Sequence, residues 1–560
     1  MEKIKSLFYP MNLNKAVNIG AVIVAAVGII YSIVFFVNNC FNQAKSKHYN
    51  MYFGLILFVM IALVLYLLWL FFRKKEWSYS RVYVILTLGW SIVIQFVMPP
   101  MSGADEVHHF YSAYHCSDVY MGIKDHDYDT TPGSEPNWIE GTTYSMMRQE
   151  EYIKLPYIDV TFPYQYQILA DANWFSTDDN LKELTKCYIK PTQARRYLLS
   201  GLGLAIARWM GLGFSGLVFM GRFVNSLTLV VAGWFCIKLL PVGKLQLLTF
   251  SLFPTILQLC GSYSYDNMSI LFSMILLSMC LFFSKESVRL HAWYVYFIAI
   301  ALLVLIPNKM VYTLFAVWFF VIPLKKWWTD VVLSKKWYEY LFGGLFVAGG
   351  LVAFKKLYAK YSYILYDQFV LSWNHANIET DGSRAAYTMN DVFADPAGTA
   401  QFVWEGIKVD FWYNIHHVIG SELGHVNLNA KAPMAAIIVM LLVLLVGIVI
   451  SRGNRIKNWQ KVIICVGLFI CVVAIFAGCL VRFTPLEGSQ RVQISYRYLI
   501  PIYMALSICF GTDEKENKKA LSLILIQNVA LMFAMCGVLY FLFHLRDGMP
   551  VPEILHQIGY

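Results

Sequence analysis

Asp105 and Glu106 stand side by side in MPPMSGADEVHHFYSAY, Met98–Tyr114, with His108 and His109 close behind them. The stretch follows an apolar run able to cross a bilayer, so both carboxylates lie just past one membrane face. If Pro99 and Pro100 end that span and a helix restarts, Asp105, His108, His109 and Ser112 share one face while Glu106 points elsewhere. A carboxylate there can act as general base on a hydroxyl. The plainer alternative is that Asp105 caps the helix and Glu106 is solvated. Asp105 and His109, at i and i+4, could also reach one divalent metal ion. Few ligands stand in the stretch and no H-E-x-x-H occurs, so neither a metal nor another cofactor is expected.

Other polar residues recur at span ends on the same side. GSYSYDNMS carries Asp266 and Asn267, IPNKMVY carries Lys309, and VRFTPLEGSQRVQISYRY carries Arg482, Arg491 and Arg497. Each alone reads as an ordinary interface anchor, because Lys and Arg snorkel to headgroups. Cations gathered at one depth are also what a phosphate or pyrophosphate at the membrane surface requires. A second cluster, HHVIGSELGH (His416, His417, Glu422, His425), could reach the same place, although histidines in such aromatic-rich loops are more often structural. No P-loop or Rossmann fingerprint occurs, which argues against a soluble nucleotide donor.

The elements that must position these residues are membrane spans. The chain has 560 residues, 58% hydrophobic and 14% charged, where a soluble domain carries about a quarter charged residues. The apolar runs are about twenty residues long and do not alternate, so helices rather than a barrel are expected. Runs at 16–37, 52–72, 82–99, 215–237, 245–262, 267–284, 291–307, 309–324, 338–354, 433–450, 461–481, 496–511 and 520–543 make thirteen spans. The segment 195–216 reads as an interfacial or re-entrant helix. With the N-terminus in the cytoplasm, RKKEWSYSR, KLLPVGK, SKESVR, LKKWWTDVVLSKKW, SRGNRIKNWQK and TDEKENKK then all fall inside and the C-terminus falls outside. The net charge of +10 is therefore topological, and no nucleic-acid partner is expected. The chain divides into five regions: three N-terminal spans (1–99), an outer loop with the DE motif and the interfacial helix (100–214), middle helices (215–354), a second outer loop (355–432) and C-terminal helices (433–560). The eleven cysteines lie mostly in apolar runs and read as small buried hydrophobes.

A carboxylate in the first large outer loop, many spans and cations at later outer ends resemble the GT-C glycosyltransferases. More closely, the chain resembles a family of bacterial envelope proteins in that superfamily, with D-E-x-x-H-F-x-x-A-Y after an early span. Asp105, Glu106, His109, Phe110, Ala113 and Tyr114 match that motif, and Asp266, Lys309, Arg497 and Tyr498 match weaker later features. Two departures are the longer gap from Pro100 to Asp105 and Tyr496 where a Gly usually precedes Arg-Tyr. The resemblance implies an all-α polytopic fold in the cell membrane. It also implies inverting transfer of a sugar from a polyprenyl-phosphate donor to a glycan or lipid acceptor. Asp105 or Glu106 would be the base, His109 would orient it, and Lys309, Arg491 or Arg497 would stabilise the leaving phosphate; His108, Tyr114, Asp266, Asn267, Arg482 and Tyr498 would line the site. A transporter or flippase, or a polymerase, of lipid-linked glycans is the alternative; charges at the outer ends rather than mid-bilayer favour the enzyme.

Overall fold

A computed structural model describes residues 13–42, 47–73, 76–98, 103, 106–123, 195–365, 387–423, 426–427, 431–450, 453–484, 491–492, 494–513 and 515–544. Helices dominate them. In chain order the first six are α1 (Leu13–Phe35, prolonged by a π-helical turn to Phe41), α2 (Lys47–Phe72), α3 (Tyr79–Val97), α4 (Glu106–Met121), α5 (Leu198–Trp209) and α6 (Phe214–Leu239). Then come α7 (Lys244–Ser251), α8 (Pro254–Cys260), α9 (Asp266–Phe283), α10 (Tyr294–Asn308), a 3-10 helix at Met310–Val321, α11 (Leu324–Asp330) and α12 (Trp337–Leu365). The last third holds α13 (Met389–Ala394), α14 (Pro396–Ile419), α15 (Lys431–Ile450), α16 (Asn458–Phe483), α17 (Ile500–Cys509) and α18 (Lys518–His544). Among the described residues the one sheet is an antiparallel pair, β1 (Glu422–Leu423) with β2 (Val426–Asn427).

Seven helices, α1, α2, α3, α6, α9, α16 and α18, are long and apolar enough to cross a membrane, and the 3-10 helix with the segment after it, bent by 64°, would make an eighth. The protein is thus an all-α polytopic membrane protein. The helices α5, α10 and α15 are apolar but shorter. At about 1.5 Å per residue, α5 spans roughly 18 Å, well short of a bilayer core of about 30 Å. It lies against α4 and α6, with Gly201 meeting Cys116 and Gly203 meeting the backbone of Met220.

The run expected over 245–262 is two helices, not one. Pro254 has no N–H to donate, and it opens α8 after a break at Leu252–Phe253. Every residue from Leu245 to Cys260 is buried, so polar backbone groups near the break need partners. Gln527 of α18 donates to the Thr249 carbonyl at 2.6 Å, and Asn225 of α6 to the Ser262 carbonyl at 2.7 Å. In mid-bundle the Trp90 indole donates to Asn528 at 2.6 Å.

Contacts between connectors sort them into two ends of the bundle. At one end Gly243 N donates to the Thr512 carbonyl at 2.9 Å, Lys457 pairs with Glu286 at 2.8 Å, Asn454 N donates to Asp513 at 2.6 Å, and Lys326 donates to the Phe283 carbonyl at 3.0 Å. The basic connectors meet here. The opposite end gathers Met98, Gly103, the start of α4, the turn before α9, Lys309 and Tyr498.

Close helix packing makes one test of this core. A side chain at Gly233 on α6 would overlap the buried Tyr83 hydroxyl, which donates to the Leu229 carbonyl at 3.0 Å. Gly233→Ala should therefore destabilise the protein by about 1–3 kcal/mol through overpacking. Gly20→Ala, which meets nothing within 4 Å, should not. Thermal unfolding of the detergent-solubilised protein checks both.

Candidate functional site

Glu106 opens α4 and is almost wholly buried, which a lone carboxylate could not sustain. Arg222 of α6 supplies the counter-charge, with Nε donating to Oε1 at 2.8 Å and Nη2 to Oε2 at 2.5 Å. The backbone N–H groups of Gly103 and Tyr263 add bonds to Oε2 at 2.9 Å and to Oε1 at 3.3 Å. Arg222 Nη1 donates in turn to the Met98 carbonyl at 3.0 Å. A Cβ at position 103 would come within 3.0 Å of Glu106 Oε2 and 3.1 Å of Gln258, so the approach suits glycine. Both carboxylate oxygens are engaged by charged or backbone donors, so neither is open to an acceptor hydroxyl. The physical work of Glu106 is to fasten the start of α4 to α6 and to the turn ahead of α9.

That fastening sets out the next residues. On α4, His109 Nδ1 lies 2.8 Å from the Tyr197 hydroxyl, and its ring meets Tyr265 edge-on at 5.2 Å. Tyr197 closes a 3-10 turn, Arg195–Tyr197, that leads into α5, and burial pushes its phenol above the usual range. Arg196 lies over the Tyr265 ring at 4.9 Å, and the Lys309 ammonium approaches the same ring at 5.6 Å. Lys309 ends α10 and pairs closely with Asp266 Oδ1. Arg497 reaches Oδ2 of the same carboxylate at 3.5 Å, and Tyr498 presents its ring to Lys309 at 3.9 Å. Asp266 is the first residue of α9, where the helix dipole favours a negative charge. The Tyr312 hydroxyl donates to the Tyr498 carbonyl at 3.0 Å and fixes the 3-10 turn Tyr496–Leu499 against the 3-10 helix.

Five of the expected residues, His109, Asp266, Lys309, Arg497 and Tyr498, thus come together from four separated parts of the chain. Lys309 and Arg497 pair with Asp266, and Arg196 shares the Tyr265 ring with Lys309, so three cations gather around this carboxylate. Partly exposed cations on aromatic faces around one fixed carboxylate can bind a phosphate-like anion. No three His, Cys, Asp or Glu among the described residues stand close enough to share a metal ion.

Other expected residues lie elsewhere. Asp105 and His425 fall outside the described residues, as do the side chains of His108 and Arg482. Tyr114 packs beneath Arg208 at 4.3 Å, and Arg208 pairs with Asp118 at 2.6 Å, so this group ties α4 to α5. Asn267 donates to Thr228 of α6 at 3.2 Å. Arg491 pairs with Asp410 of α14 at 2.8 Å instead of facing Asp266. Sequence reasoning missed Arg222, Arg196, Tyr197 and Tyr265. Arg222 carried a usable signal, since a charge inside the apolar run FSGLVFMGRFVNSL needs a partner. Arg195-Arg196 was a second signal, a basic pair in a segment expected on the side that positive charge normally avoids.

The family model described as a predicted membrane protein, DUF2142, matches residues 88–506, so the chain belongs to that family. The matched region contains the whole cluster and both long polar segments, 100–214 and 355–432. No curated protein and no solved structure matches the chain.

Removing one partner of a buried pair strands the other. Arg222→Met should cost about 3–5 kcal/mol, and the double variant Glu106→Leu/Arg222→Met should recover most of that loss. Thermal unfolding of the four proteins of this cycle measures the coupling.

Proposed function

We propose that this DUF2142 member transfers a sugar from a polyprenyl-phosphate-linked donor to a cell-envelope glycan or lipid acceptor, as GT-C enzymes do. The observation that carries the reading is the cationic cluster at the bundle end opposite the basic connectors. By the positive-inside rule the connector end is cytoplasmic. The cluster then faces outward, and thirteen crossings put the N-terminus inside and the C-terminus outside. A lipid-borne phosphate reaches a site at that depth with its hydrocarbon chain still in the bilayer.

In the proposed step, an acceptor hydroxyl attacks the anomeric carbon while Asp105 takes its proton. The bond from that carbon to the phosphate oxygen breaks, and polyprenyl phosphate leaves with the bonding pair. Lys309, Arg497 and Arg196 meet its charge, which is where fixed cations lower a barrier. The leaving group is already a weak base, so no general acid is required. Tyr197 holds His109 beside the cluster, where the imidazole can orient the acceptor. Glu106 acts here only by position, and Arg491 does not touch the phosphate.

A second reading is transport or flipping of a lipid-linked glycan. The broken run α7–α8 favours it, since discontinuous helices often form such pathways. Against it, Gln527 and Asn225 already occupy two of the carbonyls at and beyond the break.

The test compares envelope glycans by mass spectrometry in cells carrying wild type, Asp105→Asn, Lys309→Met or a gene deletion at matched protein levels. Both variants should lose the same sugar as the deletion, with the Lys309→Met product down roughly 100-fold. A wild-type glycan in both variants, with loss only in the deletion, would sink the enzyme reading and favour transport.

A further inference from the structure

Beside the cationic cluster lies a second polar group that the proposed reaction does not use. The C-terminal end of α14 and the hairpin β1–β2 bring together Tyr413, His416, His417, Ser421 and Glu422. His417 is fully buried, and its Nδ1 lies 2.7 Å from the Tyr413 carbonyl, which can only accept. Nδ1 must therefore carry a proton. Its Nε2 lies 2.8 Å from Glu422 Oε2, off the line of an ideal hydrogen bond. The contact sets Glu422 against a buried imidazole. The Tyr413 hydroxyl donates to the same oxygen at 3.2 Å. The neighbouring His416 bonds to Ser421 at 2.6 Å, and burial pulls its pKa down to about 4.

Glu422 is nevertheless 29% exposed, and its Oε1 accepts no hydrogen bond among the described residues. Trp412 and Tyr413 stand exposed on the adjoining part of α14. A staple for the hairpin does not need this arrangement, because other contacts already hold it. The Tyr496 hydroxyl donates to the Glu422 carbonyl at 3.3 Å, and Thr255 donates to the His417 carbonyl at 2.8 Å. Gly420, at φ +140°, sits directly on Pro254, where a side chain would collide at 2.6 Å. Tyr496 also packs its ring on His417 at 5.4 Å, and the next residue, Arg497, reaches Asp266 in the cationic cluster. The two polar groups therefore adjoin across one turn of chain.

We propose that Glu422, positioned by His417 and flanked by Tyr413, is the subsite that seats the hydroxyl groups of the acceptor, a hydroxyl-rich glycan. A fixed carboxylate accepts short, charge-assisted bonds from sugar hydroxyls, and the partly exposed Tyr413 ring offers an apolar edge beside it. Glu422 binds and His417 positions; neither takes the reacting proton. The inference rests on the sugar-transfer reading and names the half of the site that reading leaves open.

The test uses full-length protein in detergent and in cells, with farnesyl phosphate as the donor-side probe, followed by intrinsic tryptophan fluorescence. Glu422→Gln and His417→Gln should each lower the envelope glycan at least about tenfold, the worth of a charge-assisted hydrogen bond. Both should bind farnesyl phosphate like wild type and melt at the wild-type temperature. Glu422→Asp, which keeps the charge, should retain more product than Glu422→Gln. An unchanged glycan in Glu422→Gln overturns the proposal. So does a loss matched by lost farnesyl phosphate binding or lost folding, which would make the pair a hairpin staple. If wild type itself binds no farnesyl phosphate and Lys309→Met keeps its glycan, the sugar-transfer reading has failed instead.

Discussion

The site end of this protein depends on one buried ion pair. Neither Glu106 nor Arg222 can remain charged alone where it lies, and together they still leave lone pairs and N–H groups to satisfy. The chain meets that demand with backbone, bringing Gly103, Tyr263 and the Met98 carbonyl to the pair. Those three positions belong to the exit of α3, the approach to α4 and the turn before α9. Holding them also places His109 one turn along α4, and Tyr265 and Asp266 just after Tyr263. The cationic cluster is thus assembled by a pair that takes no part in it.

Away from that end, the bundle interior is managed with neutral polar groups. A broken helix in lipid leaves carbonyls that water cannot reach, and Gln527 serves that of Thr249 without burying a charge. The Trp90–Asn528 bond is of the same kind. The consequence is a division along the membrane normal. Amides and hydroxyls hold the middle, basic connectors hold one end, and the mixed-charge cluster holds the other.

The legibility of the residues shows the same division. Apolar run length marked the membrane class and most helices, because twenty apolar residues have few alternatives. The break at Pro254 was legible in principle but hidden by an unbroken hydropathy signal. Asp266, Lys309 and Arg497 were legible as charges at span ends, yet their mutual contact was not, since it depends on which span packs beside which. Arg491 illustrates the gap: its type and loop matched those of Arg497, and α14 captured it through Asp410. Glu106 illustrates another. Its neighbour in sequence gave no hint that Arg222, more than a hundred residues on, would close both its oxygens.

The turn Tyr496–Leu499 is where these threads meet. In a 3-10 helix successive side chains project about 120° apart, so three neighbours can serve three surroundings. Tyr496 turns to Glu422 and His417, Arg497 to Asp266, and Tyr498 to Lys309. The backbone of Tyr498 is itself held by Tyr312. A glycine at 496, usual in the related pattern, would leave the Arg497 and Tyr498 contacts in place but free the hairpin from the turn. Tyr496 therefore does not build the cationic cluster. It couples the cluster to the hairpin, so that the distance between Arg497 and Glu422 is set by adjacent residues rather than by two independently placed loops.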